Sequence, residues 1–334
     1  MKIKVSSNNL AKYKIYLQVL TALEDFFKEN HYLKLDLPVL SPSLIPEDYL
    51  EIFATEFRYF AKREKLYLTP SPELFMKRLL VENIGDCYYL GKAFRNSEPL
   101  SDLHFPEFNI LEFYKVKADY NFVKKEIQKL LLFMANKIYK SGIIHYQHHK
   151  VNLTKLWEEI SVAEAFNRYA KISEQTLFNH KAFILKAKQK GYKINNASYI
   201  DLFSQIYTQE IEPHLGTAGR PTIIYDYPKE MAALAKLNND NKTSQRFEFY
   251  ICGIELGDCY TELSDWQEQE KRFIESAKKR QETHKINHPI DTDFIEALKK
   301  GLSLCSGIAI GVDRLAMIFA NTSDIKKLRL INIE

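Results

Sequence analysis

The stretch from Cys87 to Val116 constrains the chain more than any other. Its first half, Cys87 to Arg95, alternates with a strand-like period, Gly91 and Ala93 keeping one face low. Its second half, Phe108 to Val116, alternates too, so Phe108, Ile110, Glu112 and Tyr114 share one side. A polar connection from Asn96 to Phe105, carrying Pro99, lies between them. This pattern predicts an antiparallel hairpin with a long loop. One face then offers Arg95, the flat ring of Phe108, and the pair Glu112 and Tyr114. A cation, a stacking platform and an anion suit a phosphate, a base and an amine. A half-buried hairpin with a surface salt bridge has the same short pattern, and by spacing alone it is the commoner of the two.

N-terminal to the hairpin, Leu10, Tyr13, Leu17, Leu20, Leu23 and Phe27 recur every three or four residues and predict an amphipathic helix. The run at 33–42, LKLDLPVLSP, alternates and meets prolines, as an edge strand would. Glu73 follows Pro72 and opens an apolar-periodic stretch, Leu74 to Val81. A carboxylate in a first helical turn is favoured by the helix dipole alone. Residues 120–245 say least: a helix from Asn121 to Lys140, further helices over 161–210 around a solvated lysine-rich face, a loop at Gly216–Pro221 and a strand at Thr222–Tyr227.

The segment Arg246 to Leu263 is sharper. Cys252-Gly253 can form a tight turn. Pairing Ile251 with Ile254 sets Tyr250 opposite Glu255 and Glu248 opposite Gly257, so Glu248 and Glu255 share a face within reach of one hard cation. Simple alternation turns Asp258, Tyr260 and Glu262 to the other face, and a bulge at Gly257 would return them. Two exposed glutamates on a hairpin are the ordinary alternative. Further on, Ile308 and Ile310 sit between Gly307 and Gly311, and Val312 to Phe319 turns helical. Arg314 then lies in a first turn, where a cation is disfavoured unless an anion is near.

Charge excludes little: 47 basic against 43 acidic residues give +4, too mild to argue for nucleic acid. Cys87, Cys252, Cys259 and Cys305 show no metal or disulfide spacing. No apolar run reaches membrane-spanning length and the start has no signal-peptide core, so a cytoplasmic protein is expected.

Four segments together resemble the class II aminoacyl-tRNA synthetases, in the lysyl-tRNA synthetase form. FRN, HFPEF and LEFY resemble that family's second motif. LTPSPELFMKRLL at 68–80 resembles the segment before it, and GIELGDCYTELSD at 253–265 the later strand pair. SGIAIGVDRLAMI at 306–318 resembles the third motif, and the helix and strand ending at Pro38 the first. The resemblance implies an α+β fold with an antiparallel β-sheet flanked by helices, and an ATP-dependent ligase that forms an aminoacyl-adenylate with Mg²⁺. It implies roles as well: Arg95 bridging substrate carboxylate and α-phosphate; Phe108 and Arg314 sandwiching adenine; His104, with Mg²⁺ on Glu248 and Glu255, steadying the phosphates. Glu73 would hold an α-amino group, and Glu112, Tyr114 and Glu262 would cage a side-chain ammonium, with Tyr260 lining the pocket. The first motif implies a homodimer.

The first motif begins by residue 10, so residues 1–334 are expected to form a single catalytic domain without an anticodon-binding domain. That arrangement resembles the elongation factor P–(R)-β-lysine ligases, as do HPIDTDFIEALKKG with CSG at 288–307 and Ala309, where lysyl-tRNA synthetases have glycine. Lysine or (R)-β-lysine as substrate and elongation factor P as acceptor are the implied partners. A related enzyme with another acceptor, tRNA or a small molecule, is the second reading, and a non-catalytic relative the third. The chain departs from the family at Leu103 and Phe105, which flank His104, and at Asp258, where the family has asparagine. An ionised Asp258 beside a substrate carboxylate would repel it, so Asp258 is expected either to turn toward a displaced amino group or to weaken binding.

Overall fold

The computed structural model describes residues 2–96 and 101–333; Pro99 of the hairpin connection lies outside them. The main sheet has eight strands: β1 (Leu33–Lys34), β2 (Cys87–Phe94), β3 (Glu107–Val116), β4 (Glu158–Ser161), β5 (Thr222–Pro228), β6 (Thr243–Ile251), β7 (Ile254–Thr261) and β8 (Cys305–Gly311), in the order β4-β5-β6-β7-β8-β3-β2-β1. From β5 to β2 every neighbouring pair is antiparallel, while the edge strands β4 and β1 pair in parallel. The organising hairpin forms as its alternation requires, Cys87 opposite Tyr114 and Phe94 opposite Glu107. The edge run at 33–42 yields only two short pieces in different sheets, Leu33–Lys34 beside β2 and Leu40–Ser41 beside Tyr67–Leu68, with Pro38 between them.

Strand alternation separates the two faces of the sheet. Leu111, Phe113, Phe247, Phe249, Ile308 and Ile310 are buried with three helices, α1 (Leu10–Glu29), α3 (Tyr120–Tyr139) and α5 (Val312–Phe319). The buried stripe of α1 is Tyr16, Val19, Leu23, Phe26 and Phe27, whereas Leu10 and Leu17, counted as part of that stripe in the sequence, are exposed. Two further helices, α2 (Glu73–Val81) and α4 (Trp266–Glu282), contribute to a second core with Tyr89, Ile110 and Tyr114 from the opposite face. That second face carries the site.

Residues 162–214 form short helices with a core of their own, where Phe166, Phe183, Phe203 and Ile206 meet Ile224, Tyr227 and Tyr250. Two π-helical turns, Phe166–Ala170 and Tyr207–Ile211, interrupt these helices. The sequence did not reveal the projecting hairpin Phe53–Tyr59/Lys62–Leu68, nor that at Ile143–Asn152. Among the described residues no helix is long and apolar enough to cross a membrane.

Candidate active site

A cavity of about 750 Å³ opens on the second face of the sheet. Its walls include Glu73, Arg95, His104, Phe108, Glu112, Tyr114, Glu255, Asp258, Tyr260, Glu262, Ala309 and Arg314. Sheet register explains the convergence, because residues directly opposite one another share a face. Glu112, Ala309, Asp258 and Glu248 form one row across β3, β8, β7 and β6; Tyr114, Gly307, Tyr260 and Arg246 form the next. Gly307 is required in its row, since a Cβ there would run into the Tyr114 ring.

The β6–β7 turn is a two-residue one, Cys252 and Gly253 both with positive φ, the backbone of a type I′ hairpin. The expected bulge is present but sits one residue earlier than Gly257. Tyr250 pairs with Glu255 and Phe249 with Gly257, leaving Leu256 as the extra residue. Glu248 therefore faces Asp258 and not Gly257. The slip keeps Glu255, Asp258 and Tyr260 on the cavity side.

Glu248 is the one expected site residue that does not border the cavity. It is buried, with Oε1 accepting from Arg246 at 2.8 Å and Oε2 from the Tyr250 hydroxyl at 2.6 Å. Burial raises its carboxyl above the ordinary range, and Arg246 opposes the shift. Glu255 is more open and meets Arg314 at 3.5 Å. The anion beside Arg314 in the first turn of α5 is thus Glu255. Arg314 also reaches His104 Nε2 at 2.6 Å. A guanidinium only donates, so Nε2 accepts and the imidazole proton sits on Nδ1, 3.0 Å from Ser101 Oγ. The Arg95 guanidinium lies over the Phe108 ring, 5.3 Å from its centroid.

At the other end, Glu112 accepts from Ser71 at 2.7 Å and from the Tyr114 hydroxyl at 2.9 Å. Lys77, on α2 and only 2% exposed, pairs with Glu73 and Glu262 at 2.5 Å each. Burial, and then Glu73, push the Glu112 carboxyl up to about 8. Burial raises Glu262 to about 8 as well, with Lys77 pulling the other way. At neutral pH the raised values leave Glu112 and Glu262 mostly protonated; ionising all three carboxyls beside the one ammonium would leave two negative charges in excess.

Two residues escaped the sequence reading. Lys77 reads as an ordinary i+4 companion of Glu73. Arg246 lies two residues before Glu248, and only the register puts it beside Asp258. Its Nε and Nη2 grip the Asp258 carboxylate at 3.1 and 3.0 Å, and Tyr260 donates to the same group at 2.6 Å. The repulsion expected of an unpaired Asp258 is therefore offset within the protein.

Sheet order, motif placement and this cavity define a class II synthetase core, and comparison with known proteins agrees. Residues 1–331 match the family of class II tRNA synthetases (D, K and N), and the chain belongs to that family. It is 33% identical to the elongation factor P–(R)-β-lysine ligase of Buchnera aphidicola subsp. Schizaphis graminum, over 95% of this chain and 94% of that protein. A second such ligase, from Hamiltonella defensa subsp. Acyrthosiphon pisum, is 31% identical over 93% of the chain and 92% of its own length. The lysine–tRNA ligase of Buchnera aphidicola subsp. Cinara cedri is 32% identical over 97% of the chain, which spans 64% of that enzyme. The protein is an ATP-dependent ligase of the aminoacyl-adenylate-forming class, related to these two groups.

Family membership implies use of ATP and Mg²⁺. No group of three or more His, Cys, Asp or Glu among the described residues is arranged to hold a metal. Mg²⁺ commonly takes only one or two carboxylates and completes its shell with water and substrate phosphates. Glu255 fits that pattern with a half-open carboxylate at the cavity, whereas Glu248, buried off the cavity wall with both oxygens bonded, would have to turn to share the ion.

Proposed function

We propose that the chain activates lysine or (R)-β-lysine with ATP and transfers it to a lysine side chain of elongation factor P. The observation that carries this reading is the cluster of Glu73 with the buried Glu112, Glu262 and Lys77. Fully ionised, it holds two more negative charges than Lys77 offsets, which suits a substrate with two ammonium groups and disfavours a neutral side chain. Glu73 then receives the backbone amine, and Glu112, Tyr114 and Glu262 the distal one, with Tyr260 along the wall. Ala309 adds a methyl between Glu112 and Asp258, a spacing suited to an altered substrate backbone.

At the other end of the cavity Arg95 receives the carboxylate and α-phosphate, with Phe108 and Arg314 around the base. His104 acts through Arg314, to which its Nε2 is bound. Glu255 and Glu248 would hold Mg²⁺, which neutralises phosphate charge when bound. Attack of the carboxylate on the α-phosphorus expels pyrophosphate, a reaction governed by positioning and charge stabilisation. The likeness to two elongation factor P–(R)-β-lysine ligases supports that acceptor. Incubation with ATP and labelled lysine or β-lysine should label elongation factor P and leave tRNA unlabelled. Labelled tRNA, or no acceptor at all, would contradict the proposal.

The raised carboxyls carry a pH signature. A bound diammonium favours ionised Glu112 and Glu262, so their pKa values fall on binding and protons are released. In the free site these groups take up protons as pH drops below about 8. Affinity for lysine should therefore rise from about pH 6 to about pH 8 and then level off. Calorimetry in buffers of different ionisation enthalpy should register proton release near neutrality. A flat affinity profile without release would contradict the assignment.

The outward residues Leu10 and Leu17 of α1, together with Leu33 and Leu40, are 42–50% exposed and suit a two-fold interface. Light scattering at micromolar concentration should give a dimer, and Leu17→Asp a monomer. A monomeric wild type would count against this face.

A further inference from the structure

Glu248 and Asp258 stand directly opposite each other on β6 and β7. Like charges so placed are destabilising unless a cation serves both. Arg246 is that cation. Its Nη2 lies 2.8 Å from Glu248 Oε1 and 3.0 Å from Asp258 Oδ2, its Nε 3.1 Å from Asp258 Oδ1, and its Nη1 2.6 Å from the Met231 carbonyl. Every arm of the guanidinium is thus bonded within the protein, while Arg246 also borders the cavity beside the Tyr260 ring.

The far oxygen of Glu248 is fixed separately. Tyr250 donates to Oε2, and the Tyr207 hydroxyl lies 3.5 Å from the same atom and 2.8 Å from the Tyr227 hydroxyl. Tyr207 opens the π-turn at Tyr207–Ile211, the kind of helix defect that often delivers a side chain to a functional site. At the other end of the chain of contacts, Asp258 fixes the Tyr260 hydroxyl at the cavity wall.

We propose that Arg246 is a positioning residue that couples the nucleotide end of the site to its amino-acid end, by sharing one guanidinium between Glu248 and Asp258. This rests on the proposed function, in which Glu248 serves Mg²⁺ and Tyr260 lines the amino-acid pocket. A purely structural ion pair would change stability without moving both affinities. Partners that orient metal-binding carboxylates typically contribute ten- to a hundredfold in metal affinity.

The test is calorimetric titration of Mg²⁺–ATP and of lysine, each alone, into the full chain and its variants, with melting curves to report the fold. Arg246→Lys keeps the charge and loses the fork. It should weaken Mg²⁺–ATP by about ten- to a hundredfold and lysine by about fivefold or more. Tyr207→Phe should weaken Mg²⁺–ATP alone. Asp258→Asn, the gentler change should Arg246→Lys fail to fold, should weaken Mg²⁺–ATP through Arg246 although Asp258 lies at the amino-acid end. Unchanged Mg²⁺–ATP affinity in Asp258→Asn, or a folded Arg246→Lys that loses one ligand or neither, overturns the coupling. Glu248→Gln separates the two claims. If it leaves Mg²⁺–ATP binding unchanged, the assignment of Glu248 fails; if it weakens binding while Arg246→Lys is silent, only the coupling fails.

Discussion

Replacing Arg95 with alanine should lower amino-acid-dependent ATP–pyrophosphate exchange by about a hundredfold or more, the usual consequence of removing one charge-stabilising group from such a site. Arg95 follows the end of β2 and rests over the ring of Phe108 at the cavity wall. In the proposed reaction two anions, a carboxylate and the α-phosphate, must approach each other. A cation between them lowers the repulsion of the encounter and the charge of the transition state. Arg314 cannot substitute, because its guanidinium is already engaged with Glu255 and His104. Arg95→Lys should recover only part of the loss, since an ammonium lacks the planar fork that spans two oxygens. Ordinary exchange by a folded Arg95→Ala variant would remove Arg95 from the centre of the site.

The largest effect on stability is expected from Lys77→Met. Lys77 is the buried counter-charge of Glu73 and Glu262, and removing one member of a buried ion group typically costs about 3–5 kcal/mol. The sign of the pH dependence follows from Glu262, whose carboxyl burial raises to about 8 and Lys77 pulls down. Without the ammonium its pKa rises further, so the penalty is full at high pH, where it is ionised. It shrinks as pH falls through the raised value and the group becomes neutral. Urea denaturation of wild type and variant at about pH 8 and about pH 5.5 measures this directly. A stability difference that is small, or that grows toward acid pH, would contradict the arrangement.

The parts of this molecule legible in its sequence are those where one period governs one face. Alternation through β2 and β3 sorts Leu111 and Phe113 to the helices and Glu112 and Tyr114 to the cavity. The Cys252-Gly253 turn sets the β6–β7 hairpin, and the need for a bulge follows once Asp258 and Tyr260 must join Glu255. Its position at Leu256 does not follow, because either side of Gly257 satisfies the alternation. Lys77 and Arg246 were invisible for a different reason. Each acquires its partner from another element, Glu262 from β7's C-terminal extension and Asp258 from β7, and no spacing within the chain announces such pairs. The helices over 162–214 pack largely on one another, and their π-turns arise from tertiary contacts that periodicity does not encode.

The central claim is that Glu73 and the buried carboxyls of Glu112 and Glu262, around one lysine, select a doubly ammonium-bearing amino acid for adenylation. ATP–pyrophosphate exchange over lysine, (R)-β-lysine, ornithine, norleucine and glutamine tests it most directly. The expected result is Mg²⁺-dependent exchange with lysine or β-lysine, and exchange near background with norleucine and glutamine, which fill the same space with one ammonium fewer. Equal exchange with norleucine, or none with any diamino acid, would contradict the claim.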